Sequence, residues 1–175
     1  MWLQLKLSFP EPSTWGGRRV GAGRKVLAGR RRRTPHRARP EHRAAHPTHV
    51  TLRARSGLAS LRSNRVFPVV RGSIALASNG SFRVVHFSVQ VNHVHLMVEA
   101  ADRRALGSGV HGLSIRIARA VNRALDRTGS VWGDRYHARP FTSPREVRHG
   151  LVYVLMNFKK HLPGAHGLDP CSSAP

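Results

Sequence analysis

The sequence predicts a layered α+β domain, with helices packed on one face of an antiparallel sheet, behind a disordered basic N-terminal arm. Three observations carry this. Residues 82–90 and 91–99 are strand-like runs with room only for a tight turn at Val91-Asn92 between them, so the chain folds back as a hairpin. Residues 102–127 repeat apolar side chains at three- and four-residue steps, the stripe of an amphipathic helix. Ser143, Pro144 and Glu146 form a complete helix start, a Ser-x-x-Glu capping box with proline at the first helical position. Strands that neighbour in sequence, interleaved with helices, make an antiparallel sheet with helices laid on it.

Taken in order, residues 1–45 read as the arm, 46–161 as the domain and 162–175 as a polar tail. The arm is Gly-rich and basic, with Gly-Ala-Gly-Arg24-Lys25 and the run Arg30 to Arg33, and has no hydrophobic period. His49 to Ala54 alternates and is β-branched, a first strand after Pro47. Residues 62–78 have the apolar content of a helix, but Pro68 and Gly72 interrupt it. Phe82 to Gln90 and Val91 to Glu99 are the hairpin. Asp102 caps the long helix, Leu106, Val110, Leu113, Ile117, Ala120, Val121 and Leu125 form its stripe, and Gly129 closes it. Arg116, Arg119, Arg123 and Arg127 lie off the stripe. Val131 to Phe141 reads as a strand of mixed character, and the last helix runs from Ser143 to about His161, stopped by Pro163-Gly164.

The charge speaks about partners. There are 30 Lys and Arg against 8 Asp and Glu, a formal net charge of +22, and the polyanion that such a balance suits is nucleic acid. Arg116, Arg119, Arg123, Lys160, Arg24 and Lys25 are the candidate phosphate contacts, with a plain solvated face as the alternative reading of the helix arginines. A single cysteine, Cys171, excludes a disulfide framework within the chain and a cysteine-based metal cluster, which suits a reducing cytoplasm. No run approaches the ~20 apolar residues of a membrane span. The expected location is cytoplasmic, with the nucleoid.

The chemistry centres on the strand of the second hairpin arm. Side chains alternate across a strand, so His93, His95, Met97 and Glu99 share one face while Val94, Leu96 and Val98 share the other. Two imidazoles at i and i+2 can reach one cation. On the last helix Tyr153 and Asn157 are one turn apart, with His149 and Lys160 along the same side. This pairing, His-x-His on a strand followed about sixty residues later by Tyr-x-x-x-Asn on a helix, resembles the single-tyrosine HUH transposases, most of all the REP-associated tyrosine transposases. Asn-His-Val-His-Leu-Met-Val-Glu, the Gly-Ala-Gly-Arg-Lys arm and Trp-Gly-Asp-Arg-Tyr-His-Ala-Arg add to the likeness, which covers about residues 16–161. Where relatives often have proline after this Asn, Phe158 stands here.

The resemblance implies a ferredoxin-like fold and metal-dependent cleavage and strand transfer of single-stranded or hairpin DNA. It implies that His93, His95 and Asn157 hold a Mg²⁺ or Mn²⁺ ion and that Tyr153 is the nucleophile, forming a covalent 5′-phosphotyrosine. The family includes dimers that exchange the tyrosine helix and, in this branch, monomers, so a homodimer is compatible with it. Tyr136, the other tyrosine, is the rival nucleophile, with packing or base stacking as its alternative role. Two further readings stand beside the enzyme: a non-catalytic or domesticated DNA-binding module of the same fold, to which the interrupted first helix points, and a basic RNA-binding protein of ribosomal type, which leaves His93, His95, Tyr153 and Asn157 unexplained. A zinc-structural role lacks ligands, with two histidines close together and no useful cysteine.

Overall fold

The computed structural model describes residues 42–161, the side chains only as far as Lys159, together with residues 167–174. Most of the predicted arm, including Arg24 and Lys25, and the side chain of Lys160 lie outside the described residues. The elements are β1 (Thr48–Arg53), α1 (Phe67–Ala75), β2 (Phe82–Val89), β3 (His93–Ala100), α2 (Arg103–Ala124), β4 (His137–Pro140), α3 (Pro144–Met156) and α4 (Phe158–His161). The four strands form one sheet in the order β2-β3-β1-β4, every neighbouring pair antiparallel, which is the ferredoxin-like arrangement.

One face of the sheet is apolar. Val50 and Leu52 of β1 and Val94, Leu96 and Val98 of β3 meet Val70 and Ile74 of α1 and the predicted α2 stripe of Leu106, Val110, Leu113, Ile117 and Val121. Of the helices expected together on one face, α1 and α2 lie on this one. The third helix, α3, lies across the other face, where β1 and β3 present His49, Thr51, His93, His95 and Met97. It belongs there because Met97 and Phe141 need covering, and α3 offers Gly150, Val154 and, just beyond its end, Phe158 as a buried face.

Two glycines set how closely the helices dock. On α2, Gly109 lies flat on the Phe82 ring, and on α3, Gly150 lies flat on the Phe141 ring; a Cβ at either would overlap the aromatic carbons. Close packing of this kind leaves no room to adjust without moving the helix.

Several sequence expectations are revised by physical detail. Pro68 does not break α1; it occupies the first turn, where no helical N–H is needed, and so opens the helix. The predicted strand 131–141 shortens to β4, with Trp132 held apart from it in an isolated antiparallel bridge to Ala54, its Nε1–H donating to the Ser114 carbonyl (2.9 Å). The residue past the end of α2 that takes the left-handed conformation is Asp126 (φ 49°), ahead of Gly129. The last predicted helix divides at Asn157 into α3 and α4.

Residues 167–174, read as part of a polar tail, clasp β2. Val89 donates to the Cys171 carbonyl (2.8 Å) and Ser173 donates to the Phe87 carbonyl (3.0 Å). Asp169 is 0 % exposed and takes two hydrogen bonds from the Arg62 guanidinium, at 2.7 and 2.8 Å.

Candidate active site

The site is a layer of side chains between the polar sheet face and α3. Register builds it. Thr51 of β1 pairs with His95 of β3 and with His137 of β4, and His49 pairs with Met97 and Arg139, so these groups form two adjacent rows across three strands. Residues directly opposite in an antiparallel pair share a face, which puts His49, Thr51, His95, His137 and Arg139 on the same side.

His93 and His95 converge. Their rings meet edge to face with centroids 4.6 Å apart, and the two Nε2 atoms are 2.9 Å from each other. The other nitrogen of each ring is also engaged. His93 Nδ1 is 2.7 Å from Asn92 Oδ1, at the hairpin turn, while His95 Nδ1 is 3.0 Å from His49 Nε2 and 3.3 Å from Thr51 Oγ1. His95 is 4 % exposed.

Tyr153 comes down on this cluster from α3. Its ring lies edge-on to His95 at 5.2 Å and to His49 at 5.5 Å, and the residue remains 40 % exposed. His49 stacks in turn on Phe141, at 6.3 Å. Burial, followed by the electrostatic influence of His137 and Arg139, pushes His49 down to about 4, so it is neutral near pH 7 and keeps a nitrogen lone pair.

Asn157 sits one turn beyond Tyr153, 2 % exposed, and its Nδ2 has no hydrogen-bond partner among the described residues. A buried unsatisfied amide of this kind costs on the order of 1–3 kcal/mol. Asn157 also helps line a cavity of about 600 Å³ on α3, together with Arg148, His149, Val152, Tyr153 and Met156. Among the described residues no group of three or more His, Cys, Asp or Glu has the arrangement of a metal site, so any cation here draws on the two imidazoles and on other donors.

The fold, with this layer in place, can be set against known structures. A REP-associated tyrosine transposase bound to a REP hairpin superposes with a TM-score of 0.58 at 16% identity, over 73% of this chain and 74% of that one. The fold is shared with that transposase. A candidate transposase from Deinococcus radiodurans gives a TM-score of 0.43 at 14% identity, over 74% of this chain and 97% of that one. No protein-family model and no curated protein matches the sequence.

The structure thus brings together His93, His95 and Tyr153, with Asn157 at the end of the same helix as the tyrosine. It does not bring Arg116, Arg119 and Arg123 to them. Those arginines are exposed on α2, which covers the opposite sheet face, because the apolar stripe that docks α2 turns them outward on the far side. Arg116 donates to the Leu76 carbonyl. Tyr136 is partly buried and packs against the hydrophobic core. Glu99 pairs with Arg83 on β2. Sequence reasoning missed His49 and Phe141; the alternation of Thr48–Arg53 marks His49 as sharing a face with Thr51, but only the register shows that this face meets His95. No helix among the described residues is long and apolar enough to cross a membrane.

Proposed function

We propose that the chain is a DNA strand transferase of transposase type, which cuts and rejoins single-stranded DNA at hairpins through Tyr153. The observation that carries the reading is the contact of an accessible tyrosine ring with His95, whose Nε2 faces a second imidazole nitrogen. The shared fold supports it, as does a net charge of +22 for holding phosphates. The interruption that favoured a non-catalytic module is gone, since Pro68 begins α1 instead of breaking it.

The donor set fits a divalent cation, Mg²⁺ or Mn²⁺. Two bare nitrogen lone pairs 2.9 Å apart repel, so the His93–His95 pair needs either a proton or a cation between its members. The Asn157 carboxamide oxygen is the further ligand, of the kind hard cations take. When bound, the cation supplies charge neutralisation at the scissile phosphate.

The remaining work falls to the chain's own groups. Tyr153 gives up its phenolic proton, its oxygen bonds to phosphorus, and the bond from phosphorus to the 3′ oxygen breaks. The 3′ oxygen takes up a proton, leaving a 5′-phosphotyrosine and a free 3′-OH. Because the phosphodiester energy is kept in the new ester, a second 3′-OH reverses the step without ATP. Asn157 Nδ2, unpartnered among the described residues, donates to a phosphate oxygen. Arg148 and His149, along the cavity beside Tyr153, hold flanking phosphates. The contact of Tyr153 with the His95 of its own chain supports a site carried by one chain. Work on DNA places the protein in the cytoplasm, with the nucleoid.

The test is covalent trapping. Labelled hairpin oligonucleotides from the DNA flanking the gene are mixed with protein and Mn²⁺ and resolved on a denaturing gel. The expected result is an adduct that disappears with Tyr153→Phe, with His93→Ala and with EDTA. An adduct that survives Tyr153→Phe overturns the assignment of the nucleophile. Tight, salt-sensitive binding without any adduct turns the reading into a DNA-binding module, and a preference for RNA over DNA sinks both.

A further inference from the structure

His49 has no part in the scheme above, yet it touches both of its halves, with ring centroids 5.1 Å from His95 and 5.5 Å from Tyr153. We infer that His49 is a positioning residue: it accepts the Nδ1 proton of His95 and so leaves the Nε2 lone pair of His95 directed at His93. The inference rests on the reading of His93 and His95 as cation ligands.

An imidazole binds a cation through a nitrogen that carries no proton, and the hydrogen bond made by its other nitrogen decides which one that is. His95 is buried, so its Nδ1–H needs a protein acceptor. Two groups are in reach, His49 Nε2 at 3.0 Å and Thr51 Oγ1 at 3.3 Å. Each can accept or donate. If His49 accepts through a bare Nε2, His95 is held in the Nδ1–H form; if either group donated to Nδ1, the proton would move to Nε2 and spoil the ligand. The shorter contact belongs to His49. Asn92 does the matching job for His93, its Oδ1 lying 2.7 Å from Nδ1.

The surroundings hold His49 in that role. It stands on β1, a strand hydrogen-bonded to β3 on one side and β4 on the other, and its ring is stacked on Phe141 and met edge-on by Tyr153. The same ring that orients the cation-binding imidazole therefore also buttresses the nucleophile.

The experiment uses the full chain with ¹⁵N-labelled histidine, metal-free, and reads the His95 tautomer from long-range ¹H–¹⁵N correlations. Wild type should show the Nδ1–H form, with His93 Nε2 carrying the proton that lies between the pair when no cation is bound. His49→Phe, which keeps a flat ring but has no acceptor, should shift His95 toward the Nε2–H form. His49→Gln, whose amide oxygen can stand where Nε2 was, should restore the Nδ1–H form. Mn²⁺ binding, followed by the loss of the free-ion electron paramagnetic resonance signal, should weaken about 10- to 100-fold in His49→Phe and recover in His49→Gln. An Nε2–H tautomer of His95 in wild type overturns the inference, and this spectrum decides even if His49→Phe does not fold. Loss of the Nδ1–H form in Thr51→Val would make Thr51 the acceptor and overturn it as well, as would wild-type Mn²⁺ affinity in folded His49→Phe. If wild type binds Mn²⁺ no better than His93→Ala, the cation reading itself fails and takes the inference with it.

Discussion

At the scale of single residues, the capping box of α3 links pH to the placement of Tyr153. Glu146 accepts from the Thr142 N–H (2.7 Å) and from the Thr142 hydroxyl (2.9 Å), and takes a hydrogen bond from Arg139 (2.7 Å). The Thr142 backbone bond, followed by its hydroxyl and by Arg139, holds the carboxyl below its ordinary value. A depressed folded-state value means that the contribution is full above the unfolded value and is lost as pH falls through the folded one. Wild type should therefore melt above Glu146→Gln at pH 7, with the gap closing below about pH 4 in thermal scans. Cys171 makes the opposite case. Burial raises its thiol, and the thiolate is the reactive form, so a thiol reagent should label it slowly in native protein and rapidly in urea. Residue chemistry was legible where period alone sufficed, as for His93 and His95 two apart on one strand and Tyr153 and Asn157 one turn apart. His49 was not, because a lone histidine in THVTLR gains meaning only from the strand registered beside it.

At the scale of elements, the sequence signalled every long periodic piece and misread those decided by a single special residue. The α2 stripe emerged as predicted because five buried side chains repeat at helical spacing. Pro68 looked like an interruption because its place within α1 depends on where the helix begins, which the tertiary packing of Val66 and Val70 settles. The last helix, expected on the same face as the others, lies on the opposite one; its amphipathic pattern fits either. Two glycine substitutions separate the roles. Gly150→Ala drives a methyl into the Phe141 ring, and overpacking of this sort costs about 1–3 kcal/mol. It should lower the midpoint in urea and reduce adduct formation by shifting Tyr153 off His95. Gly72→Ala, in α1 with open space around it, should raise stability by about 0.4–1 kcal/mol.

At the scale of the whole molecule, charge and edge protection decide behaviour. DNA held at both α2 and Tyr153 must pass around the sheet, because the two lie on opposite faces. Replacing Arg119 and Arg123 with Ala should flatten the slope of log affinity against log salt by about 2, measured by fluorescence anisotropy. The clasp of residues 167–174 covers the β2 edge, which would otherwise offer unpaired backbone to another chain. Its anchor is the buried Arg62–Asp169 pair, and Asp169→Ala strands the guanidinium, a change worth about 3 kcal/mol. That variant should unfold earlier in urea and show concentration-dependent association by light scattering.

The two halves of the layer beneath α3 differ in how firmly they are held. His49, His93 and His95 stand on the two central strands, each laddered on both sides, whereas α3 contributes only Gly150 and Val154 as buried residues over its length. Amide exchange should follow that division: protons of β1 and β3 escape only when the whole domain opens, those of α3 through cheaper local excursions. A strand joined to Tyr153 would then ride on the more loosely tethered part, free to meet an incoming 3′ end while the imidazoles stay in register beneath it.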